Sequence, residues 1–177
     1  GYASLGAFKA EGCREEIKAA FPASDVRAHA CSILDKLSLL ASADLVVDAT
    51  GEEAVSIALN QRLVDRRPSG PAAVHVWLVG NGAAAQCLFV GHKGEGACLK
   101  CFRPAGAATR PHWPLAPGTG LSEAPAACGE AAFIPYGVAA PAIAAGLALK
   151  VCLDWARGDA HPAMRTIRVD AAATVPV

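Results

Sequence analysis

Residues 7–20 place Phe8, Cys13 and Ile17 at roughly helical spacing, with Phe21 just beyond and Lys9, Glu11, Arg14, Glu15 and Lys18 between them. The spacing predicts one amphipathic helix, stopped by Pro22, whose ring cannot continue it. Residues 25–31 alternate Val26, Ala28 and Ala30 with charged or polar neighbours, the pattern of a half-buried strand. Residues 32–41 carry Ile33, Leu34, Leu37 and Leu40 and predict a short helix. The run 44–49, Asp-Leu-Val-Val-Asp-Ala, is a compact apolar stretch between acids and predicts a central parallel strand. Thr50 and Glu53 then have the spacing of a capping box, ahead of a helix bearing Val55, Ala58, Leu59 and Leu63. Helix and strand alternating in this way indicate right-handed crossovers and a parallel sheet covered on both faces.

After Pro68-Ser69-Gly70-Pro71 the rhythm changes. Residues 73–79 and 86–90 read as strands joined by Gly80-Asn81-Gly82-Ala83-Ala84-Ala85, too short a link for a crossover helix, so this pair is expected to be antiparallel. A loop over 103–127 carries five prolines, and a loop of that length in a compact domain is usually functional or disordered. Residues 136–157 predict a helix with Ala140, Ala144 and Ala148 along one side and Gly158 as its stop. Residues 165–170 predict a last edge strand. The expected fold is therefore α/β, a Rossmann-like three-layer domain with a mixed sheet, parallel first and antiparallel afterwards, and residues 1–177 are expected to form one domain.

Composition narrows the partners. With 177 residues and 53% hydrophobic content the chain can bury a substantial core. Sixteen basic residues balance sixteen acidic ones, which gives no reason to expect nucleic acid or an anionic membrane. The apolar run 138–149 is broken by Pro141 and Gly146 and is short for a bilayer span. Nothing in the first residues given resembles a signal peptide. Seven cysteines, odd in number and unevenly spaced, fit a reducing compartment, so a cytoplasmic protein is expected.

The densest chemistry lies between Gly96 and Ala132. Cys98 and Cys101 form a CxxC pair, whose two intervening residues let both sulfurs approach one metal ion; the pair also reads as a redox couple or as packing cysteines. Cys128 follows a long Pro-rich loop and precedes a helical pattern, where a helix start can stabilise a thiolate. Thr50 reads as a helix cap, yet a cap at the carboxyl end of a parallel strand also borders the ligand crevice of such sheets. Cys13, Cys31, Cys87 and Cys152 read as small core residues. His29, His75, His92, His112 and His161 lack ligand spacing and read as structural. Gly80-Asn81-Gly82 lacks the third glycine of a dinucleotide fingerprint and leads into a strand, which argues against a Rossmann oxidoreductase.

The run Ala43-Asp44-Leu45-Val46-Val47-Asp48-Ala49-Thr50, the later Gly96-Ala97-Cys98-Leu99-Lys100-Cys101-Phe102-Arg103-Pro104 and Ala127-Cys128-Gly129-Glu130-Ala131 before an Ala/Gly helix together resemble the ThiF, MoeB and ubiquitin-activating enzyme family. The opening Leu5-Gly6-Ala7-Phe8-Lys9-Ala10 resembles the start of the helix after that family's ATP-contacting loop. The resemblance implies the C-terminal part of a domain that adenylates the C-terminal glycine of a ubiquitin-like protein with ATP and Mg and, in many members, captures it on a cysteine. It places Lys9 at the family's phosphate-contacting lysine, Asp48, Thr50, Gly51 and Glu52 beside the nucleotide, Cys128 at the reactive cysteine, and Cys98 and Cys101 at a zinc site. It also implies a homodimer or a related pairing domain, and a conjugating enzyme or domain as partner. Three departures stand out: no Gly-rich nucleotide loop precedes Lys9, Gly51 occupies the place of an Asp that helps hold Mg-ATP, and no second CxxC follows the last strand. A non-catalytic scaffold of the same fold is the alternative they leave.

Overall fold

A computed structural model describes residues 6–66, 69–91, 96–102, 112–123 and 135–176, in two compact units, Gly1–Ser38 and Leu39–Val177. In the first unit, helix α1 (Lys9–Ala20) forms where the periodicity predicts it. Glu11 in its first turn and Lys18 in its last complement the helix dipole. Its apolar residues are not enclosed, since Phe8, Ile17 and Phe21 are exposed and Gly12 is the buried position. The strand expected over 25–31 is not formed. Val26 and Ala28 are half-buried as the alternation requires, but no partner strand among the described residues completes a ladder with them. Cys13 and Cys31, expected in the core, are exposed. The helix expected over 32–41 is a tighter 3₁₀ stretch, Ile33–Ser42, broken at Lys36, whose φ of −125° leaves the helical region.

The second unit is built on a four-stranded sheet in the order β1 (Leu45–Asp48), β2 (Ala72–Val79), β3 (Ala84–Val90) and β4 (Ala163–Arg168). β1 runs parallel to β2, and both β2–β3 and β3–β4 are antiparallel, so the mixed Rossmann-like sheet is present as the link lengths require. Among the described residues β1, expected as a central strand, is paired on one side by β2, and Val47 is exposed on it.

Helix α4 (Ala139–Arg157) covers one face of the sheet. Its Ala144, Leu147, Ala148 and Val151 pack on Val74, Val76, Cys87 and Phe89, and the alanines supply the close approach read from the sequence. Gly158 ends the helix at φ +81°, and its amide N–H returns to the carbonyl of Trp155. At 19 residues α4 is longer than the apolar run 138–149, and by length and composition alone it would reach across a bilayer. Packing on the sheet encloses Ala144, Leu147, Ala148 and Val151, while Leu149 and Leu153 are exposed.

Strand periodicity puts Ala73, His75 and Leu88 on the opposite face. Helix α2 (Glu53–Val64) packs against β2 and against the short helix α3 (Leu99–Phe102). Of the loop expected over 103–127, residues 112–123 are described and run beside the C-terminal tail. There Leu115 bridges Thr174, and Ala116 donates its N–H to the carbonyl of Ala173 at 2.9 Å.

Candidate functional site

The carboxyl end of β1 delivers Asp48 into the protein, where it is 4% exposed. Such a carboxylate is retained only if donors replace the water it loses. One oxygen, Oδ1, accepts the Thr50 N–H at 3.1 Å and the Thr50 hydroxyl at 2.8 Å. The other, Oδ2, lies 2.8 Å from Nδ1 of His75, the residue opposite it on β2. The Ser56 hydroxyl, from α2, adds a further donor. Burial alone would push the Asp48 carboxyl upward; the bonds from His75, Ser56 and Thr50 outweigh it and hold the group well below the usual carboxylate range. Asp48 is thus ionised and His75 Nδ1 is the donor. The other ring nitrogen, Nε2, is buried without a hydrogen-bond partner among the described residues.

Gly51 follows with φ +72°, a conformation that a residue with Cβ adopts at a cost, and open space lies where a side chain would stand. This turn displaces the predicted capping box. α2 begins at Glu53 with Glu52 as its N-cap residue and no side-chain cap, while the Thr50 hydroxyl oxygen accepts the Glu52 N–H at 3.4 Å. Thr50, Gly51 and Glu52 are exposed at the carboxyl end of a parallel strand, where α/β sheets bind ligands.

One turn after Ser56 on α2, Asn60 is 2% exposed. Its Oδ1 accepts the N–H of Leu99 at 3.1 Å, and its amide N–H bonds the sulfur of Cys98. The Sγ atoms of Cys98 and Cys101 are 3.8 Å apart. Burial raises the Cys98 thiol, but the Asn60 amide, the N–H groups of Cys101 and Lys100 and the neighbouring Cys101 thiol together lower it below an ordinary cysteine. Cys87 shows the opposite case: burial pushes it up to about 12, with Cys152 beside it contributing in the same direction.

The two CxxC sulfurs stand at the separation of two thiolates on a tetrahedral zinc, about 3.8 Å for Zn–S bonds of about 2.3 Å. Among the described residues no group of three or more Cys, His, Asp or Glu completes such a shell.

The structure places Asp48, Thr50, Gly51 and Glu52 in one strand-end loop and Cys98 with Cys101 at one corner, both held by α2. Lys9 belongs to the first unit, where it opens α1 and is exposed. Cys128 lies outside the described residues. His75, Ser56 and Asn60 were not singled out as functional from sequence. The one available signal was the polar pair Ser56 and Asn60, four residues apart on the apolar side of a helix.

No protein-family model matches the sequence. The chain is 29% identical over 178 residues to the ATP-dependent ubiquitin transferase-like protein Cap2 of Pseudomonas aeruginosa (strain BWHPSA011 / Pa011), an alignment that covers 97% of this chain. It spans 30% of the length of that relative.

Proposed function

We propose that this chain is part of an activating enzyme that adenylates the C-terminus of a ubiquitin-like protein with ATP and transfers it to Cys128 as a thioester. The observation that carries the reading is the similarity along nearly the whole chain to a protein named an ATP-dependent ubiquitin transferase-like protein. It is supported by a mixed α/β sheet whose parallel strand ends in an exposed Thr50-Gly51-Glu52 loop.

In this reading a carboxylate oxygen of the modifier attacks the α-phosphorus of ATP and expels pyrophosphate. The Cys128 thiolate then attacks the acyl carbon and expels AMP. Asp48, already engaged by Thr50, Ser56 and His75, fixes the shape of the loop beside the nucleotide. Glu52, exposed in that loop, would serve Mg where Gly51 stands in place of an Asp. Lys9, in the first unit, is the lysine that the family resemblance assigns to phosphate. Cys98 and Cys101 would hold a structural zinc through their sulfurs, and the metal would tie that corner to further ligands. Homodimerisation and a conjugating partner belong to the same reading.

The test uses the intact protein. Cys128→Ala is expected to abolish a thiol-sensitive adduct with the modifier while ATP:pyrophosphate exchange continues. An adduct that persists removes Cys128 from the role, and absence of exchange in the unmutated protein favours the non-catalytic scaffold that Gly51 suggests.

A further inference from the structure

The thiols of Cys98 and Cys101 have a chemistry of their own that a purely structural metal would leave unused. Cys98 immediately precedes α3 and Cys101 lies within it, and the Cys101 N–H returns to the Cys98 carbonyl at 2.9 Å, so one turn of chain holds the pair. Their sulfurs stand 3.8 Å apart. A disulfide needs about 2.05 Å, and two intervening residues in a turn are the spacing from which redox CxxC pairs close.

The two thiols differ in access and in support. Cys101 is exposed, so a reagent meets it first, and Cys98 is half-buried behind it. Asn60, buried on α2, accepts the Leu99 N–H through Oδ1 and donates its amide N–H to the sulfur of Cys98. A disulfide sulfur carries no charge and accepts hydrogen bonds weakly, so oxidation leaves the buried Asn60 N–H with a poorer partner than the reduced pair gives it.

We propose that Cys98 and Cys101 form a reversible dithiol–disulfide site, and that Asn60 is the positioning residue that biases it towards the dithiol. The proposal goes beyond the activating-enzyme reading and needs none of its steps. The co-reactant is a low-molecular-weight disulfide of the glutathione class. Cys101, its proton given to solvent, attacks one sulfur of that disulfide; a mixed disulfide forms and one thiolate leaves. Cys98, likewise deprotonated, then attacks the Cys101 sulfur, forms the Cys98–Cys101 bond and expels the second thiolate. The protein loses two electrons, and the small disulfide gains them as two thiols once the leaving thiolates take up the protons released by the cysteines.

The test equilibrates the intact protein, with and without prior treatment by a zinc chelator, across a series of reduced-to-oxidised glutathione ratios. Metal content is measured first; samples are then quenched in acid and the disulfide is mapped by alkylation and mass spectrometry. A Cys98–Cys101 disulfide that forms in both preparations and reverses at reducing ratios is expected. Two variants address Asn60. Asn60→Asp keeps an acceptor for the Leu99 N–H and loses the donor to sulfur, whereas Asn60→Ala loses both. In each the disulfide is expected to persist to ratios about tenfold more reducing, equivalent to about 30 mV. Formation in neither preparation, or pairing with other cysteines instead, overturns the site, and formation only after chelation gives the pair to the metal and overturns its redox role. Midpoints unchanged in both variants, or shifted in Asn60→Ala alone, overturn the role of the Asn60 amide N–H. Neither adenylation nor acyl transfer enters these readouts, so this inference and the activating-enzyme reading fail separately.

Discussion

Helix α2 supports two polar clusters that behave in opposite ways. At its first turn Ser56 helps enclose Asp48, whose oxygens are occupied by Thr50 and His75. One turn later Asn60 holds Cys98, but the partner thiol, Cys101, is exposed. Both clusters favour an anion, and both achieve it by donated hydrogen bonds against the cost of burial. The difference lies in access. The closed carboxylate has its bonding capacity consumed by the protein and acts as structure, whereas the CxxC corner keeps a sulfur facing solvent and is free to meet a metal or a reagent. A depressed pKa by itself separates neither role from the other; the exposure of the adjacent group does.

The largest expected effect tests the closed cluster. Asp48→Ala leaves the buried Nδ1–H of His75 without an acceptor and removes the charged acceptor of Thr50 and Ser56, and at about 1.5 kcal/mol for each bond to a charged group a loss of about 3–5 kcal/mol is expected in urea unfolding. A loss below about 1 kcal/mol would show that the cluster is not structural. The same carboxylate sets an acid limit. Its folded-state pKa lies below its unfolded value of about 3.9, so its contribution is fully present above that pH and disappears as pH falls towards the folded value. The unmutated protein should therefore lose stability on acidification below about pH 4, and Asp48→Ala should show a flatter dependence.

Asn60→Ala comes next, at about 1–3 kcal/mol, because the Leu99 N–H loses its buried acceptor. It should also move the pH curve for Cys98 alkylation upward, and an unmoved curve would place the control of Cys98 in the backbone N–H groups alone. Thr50→Val is the smallest, about 1 kcal/mol, since it removes the hydroxyl donor to Asp48 but leaves the N–H of residue 50 in place. A much larger loss would mean that the loop, rather than His75, closes the cluster.

Much of the fold could be read from the chain because the signals were local. Periodicity located α1, α2 and α4, and the short link at 80–85 fixed the antiparallel pair. The failures have non-local causes. Residues 25–31 have strand alternation, yet a strand exists only with a partner to bond. Thr50 has capping-box spacing, yet Gly51 turns the chain and moves the helix start to Glu53. At the site, Asp48, Thr50 and the cysteine pair were visible as residue types in order along the chain. His75 was not, because its pairing with Asp48 depends on the register of β1 against β2. Asn81 was read only as part of a failed glycine fingerprint; its side-chain amide donates to the carbonyls of Ser122 and Pro135, 41 and 54 residues along the chain.

The sheet order also sets a hierarchy of local opening. Among the described residues β1 pairs only with β2, and β4 only with β3, so each of these strands depends on the inner hairpin while the hairpin depends on neither for its own pairing. β2 and β3 are joined by a four-residue link, 80–83, whereas β4 reaches β3 only after roughly 70 residues of intervening chain, a closure that costs about 2–3 kcal/mol more in chain entropy. In native-state hydrogen exchange the amides of β2 and β3 are accordingly the last to exchange, at rates that report global unfolding, and those of β1 and β4 exchange earlier through fraying that leaves the centre intact.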